Sequence, residues 1–152
     1  MRSADEAQQV VRPFRLLVTG SRTWGSEAAD TVRLRQALNH VAQEVGYRTP
    51  ILIHGGARGL DRLAASHWRG LGLPTEEHLP DWDGPWGRQA GFRRNELMVN
   101  LGANLCLAFI RDQSRGATHC ANFAERRNIR TIRFYAGRMP AGATQGQEWQ
   151  VK

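Results

Sequence analysis

Two stretches of this chain share one grammar: a short apolar run, a glycine turn, then apolar residues at helical spacing. RLLVTGSR (15–22) places Leu16, Leu17 and Val18 before Gly20, the pattern of a strand buried on both faces that ends in a tight turn. A helix is predicted next, with Ser26 as its cap and Glu27 and Asp30 in its first turn. Along it Val32, Leu34, Ala37, Leu38, Val41 and Val45 recur near the helical period before Gly46 stops it. The second unit opens with ILIH (51–54), turns at Gly55-Gly56, and continues as a helix carrying Leu60, Leu63, Ala64 and Trp68 as far as Gly70. Strand, glycine turn, helix, repeated, dictates a parallel sheet with helices on its faces.

The rest of the chain extends the pattern. TEEHLP (75–80) reads as a polar edge strand, and DWDGPWGRQAG (81–91) as a loop rich in Gly, Trp and Asp. GFRRNELMVNLG (91–102) is predicted to be a helix with Phe92, Leu97, Met98 and Leu101 inward. ANLCLAFI (103–110) is the most continuous apolar stretch and so a central strand. RDQSRGATHC (111–120) leads into a helix through Phe123 and Ala124 to Asn128, and IRTIRFY (129–135) supplies the last strand. The expected architecture is one α/β Rossmann-like doubly wound domain over residues 15–135. Its five-stranded, mainly parallel sheet should have the order 3-2-1-4-5, with helices on both faces. Residues 1–14 read as an N-terminal tail and residues 136–152, rich in Gly, Ala and Gln, as a flexible C-terminal tail.

At 152 residues and 17.1 kDa the chain matches a single domain. Hydrophobic residues at 41% and charged residues at 23% exclude a disordered chain or a fibre. No apolar run approaches the roughly 18 to 20 residues of a membrane span, and the first residues lack an apolar signal core. A cytoplasmic protein with no membrane partner is expected. Of the 21 basic residues, Lys152 alone is not Arg, and the net charge is +7. That skew suits phosphate, which the guanidinium fork matches, and it equally suits a GC-rich genome. The arginines are spread rather than blocked, so the charge does not by itself choose between a polymer and a small phosphate ligand. Cys106 and Cys120 are too few for a disulfide framework or a zinc site.

In such sheets ligands bind beyond the carboxyl ends of the strands, where the strand order reverses. That rule singles out Thr19-Gly20-Ser21-Arg22, His54 to Gly59, Asp81-Trp82-Asp83, and Arg111 to His119. The second segment has the makings of a phosphate cradle. Gly55, Gly56, Ala57, Arg58 and Gly59 leave a strand and enter a helix whose opening N–H groups and nearby guanidinium suit an anion. The alternative is a tight turn alone. Neither G-x-G-x-x-G nor a Walker A loop occurs.

Taken together, LLVTGSRTWG (16–25), IHGGARGLDRLA (53–64), WDGPWGRQAGFRRNELMV (82–99) and LAFIRDQSRGATHC (107–120) resemble the YspA-type, cpYpsA-related branch of the SLOG superfamily. That superfamily also holds the DprA and LOG Rossmann-like domains, and GGARGLD is similar to the GxARGID segment of DprA proteins. The resemblance implies a Rossmann-like fold that binds nucleotides or nucleotide-derived ligands at the glycine motif. It does not carry over the LOG glycosidic cleavage. LOG enzymes have a PGGxGTxxE signature, and this chain has SRGATHC after its fourth strand.

Residue by residue, Thr19, Gly20, Ser21 and Arg22 form either a phosphate or ribose contact or a polar turn. Arg58 is expected at the ligand, with Asp61 capping or orienting it, although Arg58, Asp61 and Arg62 also fit a local salt bridge. Trp82 and Trp86 either stack on a base or anchor their loop. Arg93, Arg94, Asn95 and Glu96 open a helix near the strand ends and suit ribose and phosphate. Ser114, Arg115, Gly116 and Thr118 form a second candidate anion site. Glu96, Asp81 and Asp83 are the candidate catalytic carboxylates. His54 and His119 read as hydrogen-bonded neighbours of the site, and no metal or cofactor is expected.

Three functions compete. The first is a sensor or sequestering protein for a nucleotide or ADP-ribose-like molecule, and multiple anion sockets without a clear acid/base pair favour it. The second is a hydrolase of an N-glycosidic or phosphate bond, and the third a DprA-like single-stranded nucleic-acid module. Flat helical faces also suggest a homo-oligomer.

Overall fold

A computed structural model describes residues 12–137 and 149–151. Its strands are β1 (Arg15–Gly20), β2 (Ile51–His54), β3 (Thr75–Glu77), β4 (Leu105–Ile110) and β5 (Thr131–Tyr135). Its helices are α1 (Ala28–Val45), α2 (Leu60–Gly70), α3 (Ala90–Asn100) and α4 (Arg115–Arg126), with single turns of 3-10 helix at Gly46–Arg48 and Gly87–Gln89. The sheet order is β3-β2-β1-β4-β5 and every pairing is parallel, the Rossmann-like order expected from the sequence. Strand order reverses between β1 and β4.

Side chains alternate across the sheet as the pleat requires. Leu16, Val18, Leu105, Leu107 and Phe109 pack with Leu34, Leu38 and Val41 of α1 and Leu60 and Trp68 of α2. On the other face Leu17, Ile53 and Cys106 meet Met98 and Val99 of α3 and Cys120 and Ala124 of α4. Both faces of β4 are therefore covered, and all six of its residues are buried. Each fully buried large side chain contributes roughly 1.5 to 3 kcal/mol.

Several local expectations are corrected. The N-cap of α1 is Glu27, in a reciprocal box with Asp30, while the Ser26 hydroxyl turns back to the Thr23 carbonyl at 2.7 Å. Val32 of α1 is exposed. In α3, Phe92, Leu97 and Leu101 are at least partly solvent-facing, and Ala90, Asn95, Met98 and Val99 are the buried set. Met98 and Val99 pack on the sheet, and the buried Asn95 amide is satisfied by Arg94 Nε and the Gly116 carbonyl. Phe14, expected in the N-terminal tail, is core. At the far end of the expected C-terminal tail, Val151 is buried, Trp149 packs edge-on to His40, and the Trp149 carbonyl lies 2.7 Å from His40 Nε2. Residues 138–148 lie outside the described residues.

No helix among the described residues is long and apolar enough to cross a membrane.

Candidate functional site

At the reversal point, just beyond the paired carboxyl ends of β1 and β4, the crossover loops leave a cleft of about 400 Å³. Thr19, Gly20, Ser21, Arg22 and Thr23 form one wall. Ala57 of the glycine turn and Asp61 of α2 close it on one side, and Trp82, Arg88, Phe92, Arg94, Asn95 and Met98 from the long loop and α3. Arg111, Asp112, Ser114, Gly116 and Ala117 complete it beyond β4. A second cavity of about 490 Å³ adjoins it on the β2 side. That groove is lined by Arg22, Gly55, Gly56, Ala57, Arg58, Arg62, Leu79, Pro80, Trp82 and Arg94.

The glycine turn after β2 does not offer its amides to a ligand as the sequence suggested. Asp61 Oδ2 accepts the N–H of Gly55 at 3.0 Å and of Ala57 at 3.2 Å, and the N–H of Gly56 donates to His54 Nδ1 at 3.0 Å. The protein's own carboxylate fills the anion position of the turn. Burial pushes the Asp61 carboxyl up to about 6, opposed by the two amides and the nearby Arg94 charge. The expected capping by Asp61 is present, but what it caps is the turn rather than Arg58, and among the described residues Arg58, Asp61 and Arg62 form no ion pair. Because Nδ1 of His54 accepts, the neutral ring carries its proton on Nε2, which is buried without a partner among the described residues. His54 is therefore hydrogen-bonded at Nδ1 as expected, whereas His119 Nδ1 is buried without a partner among the described residues and its Nε2 lies 3.8 Å from Glu96.

The first motif divides in the same way between structure and surface. The Ser21 hydroxyl donates to the Arg111 carbonyl and accepts the Arg111 N–H, both at 2.8 Å, which ties the ends of β1 and β4 together. A side chain on Gly20 would overlap Leu60 of α2, so this glycine is a packing residue. Arg22 is exposed, lines both cavities and, among the described residues, makes no ion pair.

The helix openings contribute Arg94 and Asn95. Arg94 Nη1 donates to the carbonyls of Gly55 and His78, the latter at 3.3 Å, and its Nε donates to Asn95 Oδ1 at 2.9 Å. Asn95 Nδ2 reaches the Gly116 carbonyl at 3.2 Å. These two residues brace the cleft floor between β2, α3 and α4. Ser114 caps α4 by accepting the Ala117 N–H at 3.4 Å, so part of that expected anion socket is also occupied.

Other expected residues fall outside both cavities. Glu96 sits between Arg93 at 3.6 Å and His119 at 3.8 Å, and Arg93 stacks over Trp86 at 4.0 Å. Asp81 lies against Gly84 in the exposed loop, Asp83 is exposed, and Arg115 and Thr118 are exposed on the first turn of α4 and line neither cavity. The structure thus gathers Thr19, Gly20, Ser21, Arg22, Ala57, Asp61, Trp82, Arg94, Asn95, Ser114 and Gly116 around the cleft. Arg58 and Gly56 stand at the neighbouring groove, and the three candidate catalytic carboxylates are at neither.

The sequence reading missed Arg88, Met98 and the Arg111–Asp30 pair. Arg88 rides on the 3-10 turn of the Trp- and Gly-rich loop, whose composition was the available signal. Arg111 grips Asp30 with two bonds of 3.0 Å and approaches Glu27 at 3.3 Å, so its charge is spent on α1. Asp30 is buried and its carboxyl lies below the ordinary range, since burial, which raises it, is outweighed by Arg111 and the amides of Gly25 and Glu27. Beyond Arg111, Asp112 and Gln113 both have positive φ, at 56° and 52°, and Thr23 Oγ1 holds Asp112 at 3.0 Å. Non-glycine residues in that region are uncommon and concentrate at ligand-handling loops. No group of three or more His, Cys, Asp or Glu among the described residues could hold a metal ion.

The sheet order and the cleft at its reversal point define a Rossmann-like α/β domain. Residues 14–84 match the model of the YspA, cpYpsA-related SLOG family. The Gene 61 protein of Mycobacterium phage D29 is 38% identical over 130 residues, which cover 79% of this chain and 95% of that protein. The chain belongs to the YspA, cpYpsA-related SLOG family. Among solved structures, DNA processing protein A (DprA) from Streptococcus pneumoniae aligns with a TM-score of 0.47 at 13% identity. The aligned part is 79% of this chain and spans 58% of that one.

Proposed function

We propose that this protein binds a nucleotide or nucleotide-derived, ADP-ribose-like molecule in the cleft between β1 and β4, as a sensor or sequestering protein. One observation carries the reading. At the point where doubly wound sheets hold their ligands, Trp82, Phe92 and Met98 share a cleft with Arg22 and Arg88, which form no ion pair among the described residues. An aromatic and thioether wall takes a base, and unpaired guanidiniums take phosphate oxygens. Asp61 and Asp112 are the two carboxylates in the lining. Asp61 accepts two backbone amides and Asp112 a hydroxyl, which favours binding over turnover.

The test is to incubate the purified protein with a panel of nucleoside phosphates and ADP-ribose, remove unbound material, denature, and identify small molecules by mass spectrometry. An intact nucleotide recovered with the protein is the expected result. Free base or released phosphate instead would establish a hydrolase.

A further inference from the structure

The groove beside the cleft has a chemistry of its own. Its lining holds Arg22, Arg58, Arg62 and Arg94 and no carboxylate, with Glu77 packed against Gly56 but outside it. Arg94 is held by carbonyls and Asn95, whereas Arg22, Arg58 and Arg62 are exposed and form no ion pair among the described residues. Like charges gathered around one concavity repel, and an anion relieves that repulsion. The amides of the glycine turn are spent on Asp61 and His54, so a phosphate here meets guanidiniums rather than a backbone nest. Arg22, Ala57, Trp82 and Arg94 line both cavities, which makes the groove a continuation of the cleft.

We infer that the Arg58–Arg62 groove is a separate phosphate compartment, and that the ligand is a nucleotide with two or more linked phosphates rather than a monophosphate. This rests on the cleft reading: the base lies beside Trp82 and Phe92, the first phosphate meets Arg22 and Arg88, and the next passes Trp82 into the groove. A single phosphate reaches the cleft arginines and leaves Arg58 and Arg62 unanswered. Both cavities have the size of small-molecule sites, which favours a discrete nucleotide over a strand.

Calorimetry with AMP and ADP, on the wild type, Arg62→Ala and Arg88→Ala, tests this. Arg62 is an exposed residue of α2, so its removal spares the core. ADP should bind at least about tenfold more tightly than AMP, as a charge-assisted contact to one more phosphate implies. Arg62→Ala should bring ADP to within about threefold of AMP and leave AMP unchanged, and Arg88→Ala should weaken both. AMP and ADP binding alike, with both sensitive to Arg88→Ala alone, would overturn the second compartment and leave the cleft reading standing. Binding of neither at millimolar concentration would overturn both. A short oligothymidylate that binds more tightly than ADP, with steep salt dependence and loss on Arg62→Ala, would replace the nucleotide by a strand.

Discussion

A methyl group on Gly59 would stand 2.3 Å from the carbonyl oxygen of Arg22, so the TGSR and GGARGLD segments interlock through bare backbone. Gly59 also has φ of +81°, which side chains rarely adopt. Gly59→Ala should therefore cost about 2 to 4 kcal/mol, from strain and overpacking together. Urea unfolding checks it, and a loss below about 0.5 kcal/mol would show that the two segments separate easily.

Asp61 gives the fold a pH signature. Burial, partly offset by the amides and by Arg94, raises its carboxyl from 3.8 to about 6, so the folded chain holds this proton more tightly than the unfolded one. Its contribution is complete below the unfolded value and lost as pH rises to about 6, in total about 3 kcal/mol. Relative to Asp61→Asn, the wild type should lose stability between about pH 4 and pH 7. Parallel profiles would contradict a buried, proton-binding Asp61.

Glu76 acts in the opposite direction. The Arg15 guanidinium, in a two-bond contact at 3.1 and 2.9 Å, and then His78 hold its carboxyl down at about 2 from 4.5. Stability from this group is present above the unfolded value and lost as pH falls through about 2. Glu76→Gln should flatten the acid limb of the stability curve, and an unaltered limb would remove the β3 edge from acid unfolding.

Arg111 and Asp30 fasten the end of β4 to the first turn of α1. Arg111→Ala leaves a buried carboxylate without its partner and should lower the thermal midpoint, while Arg111→Leu combined with Asp30→Asn should recover much of the loss. Equal midpoints for wild type and Arg111→Ala would show the pair to be idle.

Cys106 and Cys120 are both buried thiols, and burial pushes Cys120 up to about 12 and Cys106 up as well. Both should resist Ellman's reagent in the native protein and react in urea. Rapid native labelling of either would show that the α3–α4 face opens.

The sheet was legible because β1 and β2 are apolar runs closed by glycines and β4 is the longest apolar run, and the right-handed crossover rule then leaves few orders. The place of the cleft followed from the order. The inward face of α3 did not, since Phe92, Leu97 and Leu101 match a helical stripe as well as Ala90, Asn95, Met98 and Val99 do. The buried stripe carries Asn95, which bonds to the Gly116 carbonyl of α4, a tertiary contact that helical spacing does not contain. Glu96 looked catalytic because spacing cannot tell a cleft carboxylate from one already held by Arg93 and His119. The glycine turn was visible as an anion site, but that its anion is Asp61, one helical turn later in the same chain, is a tertiary fact that the turn residues do not contain.

A nucleotide bound at the ends of β1 and β4 must disturb the residues that line the cleft there. A titration of the isotopically labelled protein with ADP, followed by amide chemical shifts, tests this most directly. The largest shifts should fall at residues 19–23, 57–61, 88–95 and 111–117. An unchanged spectrum at millimolar ADP, or shifts confined to the opposite end of the sheet around residues 46–50 and 71–74, would contradict binding in the cleft.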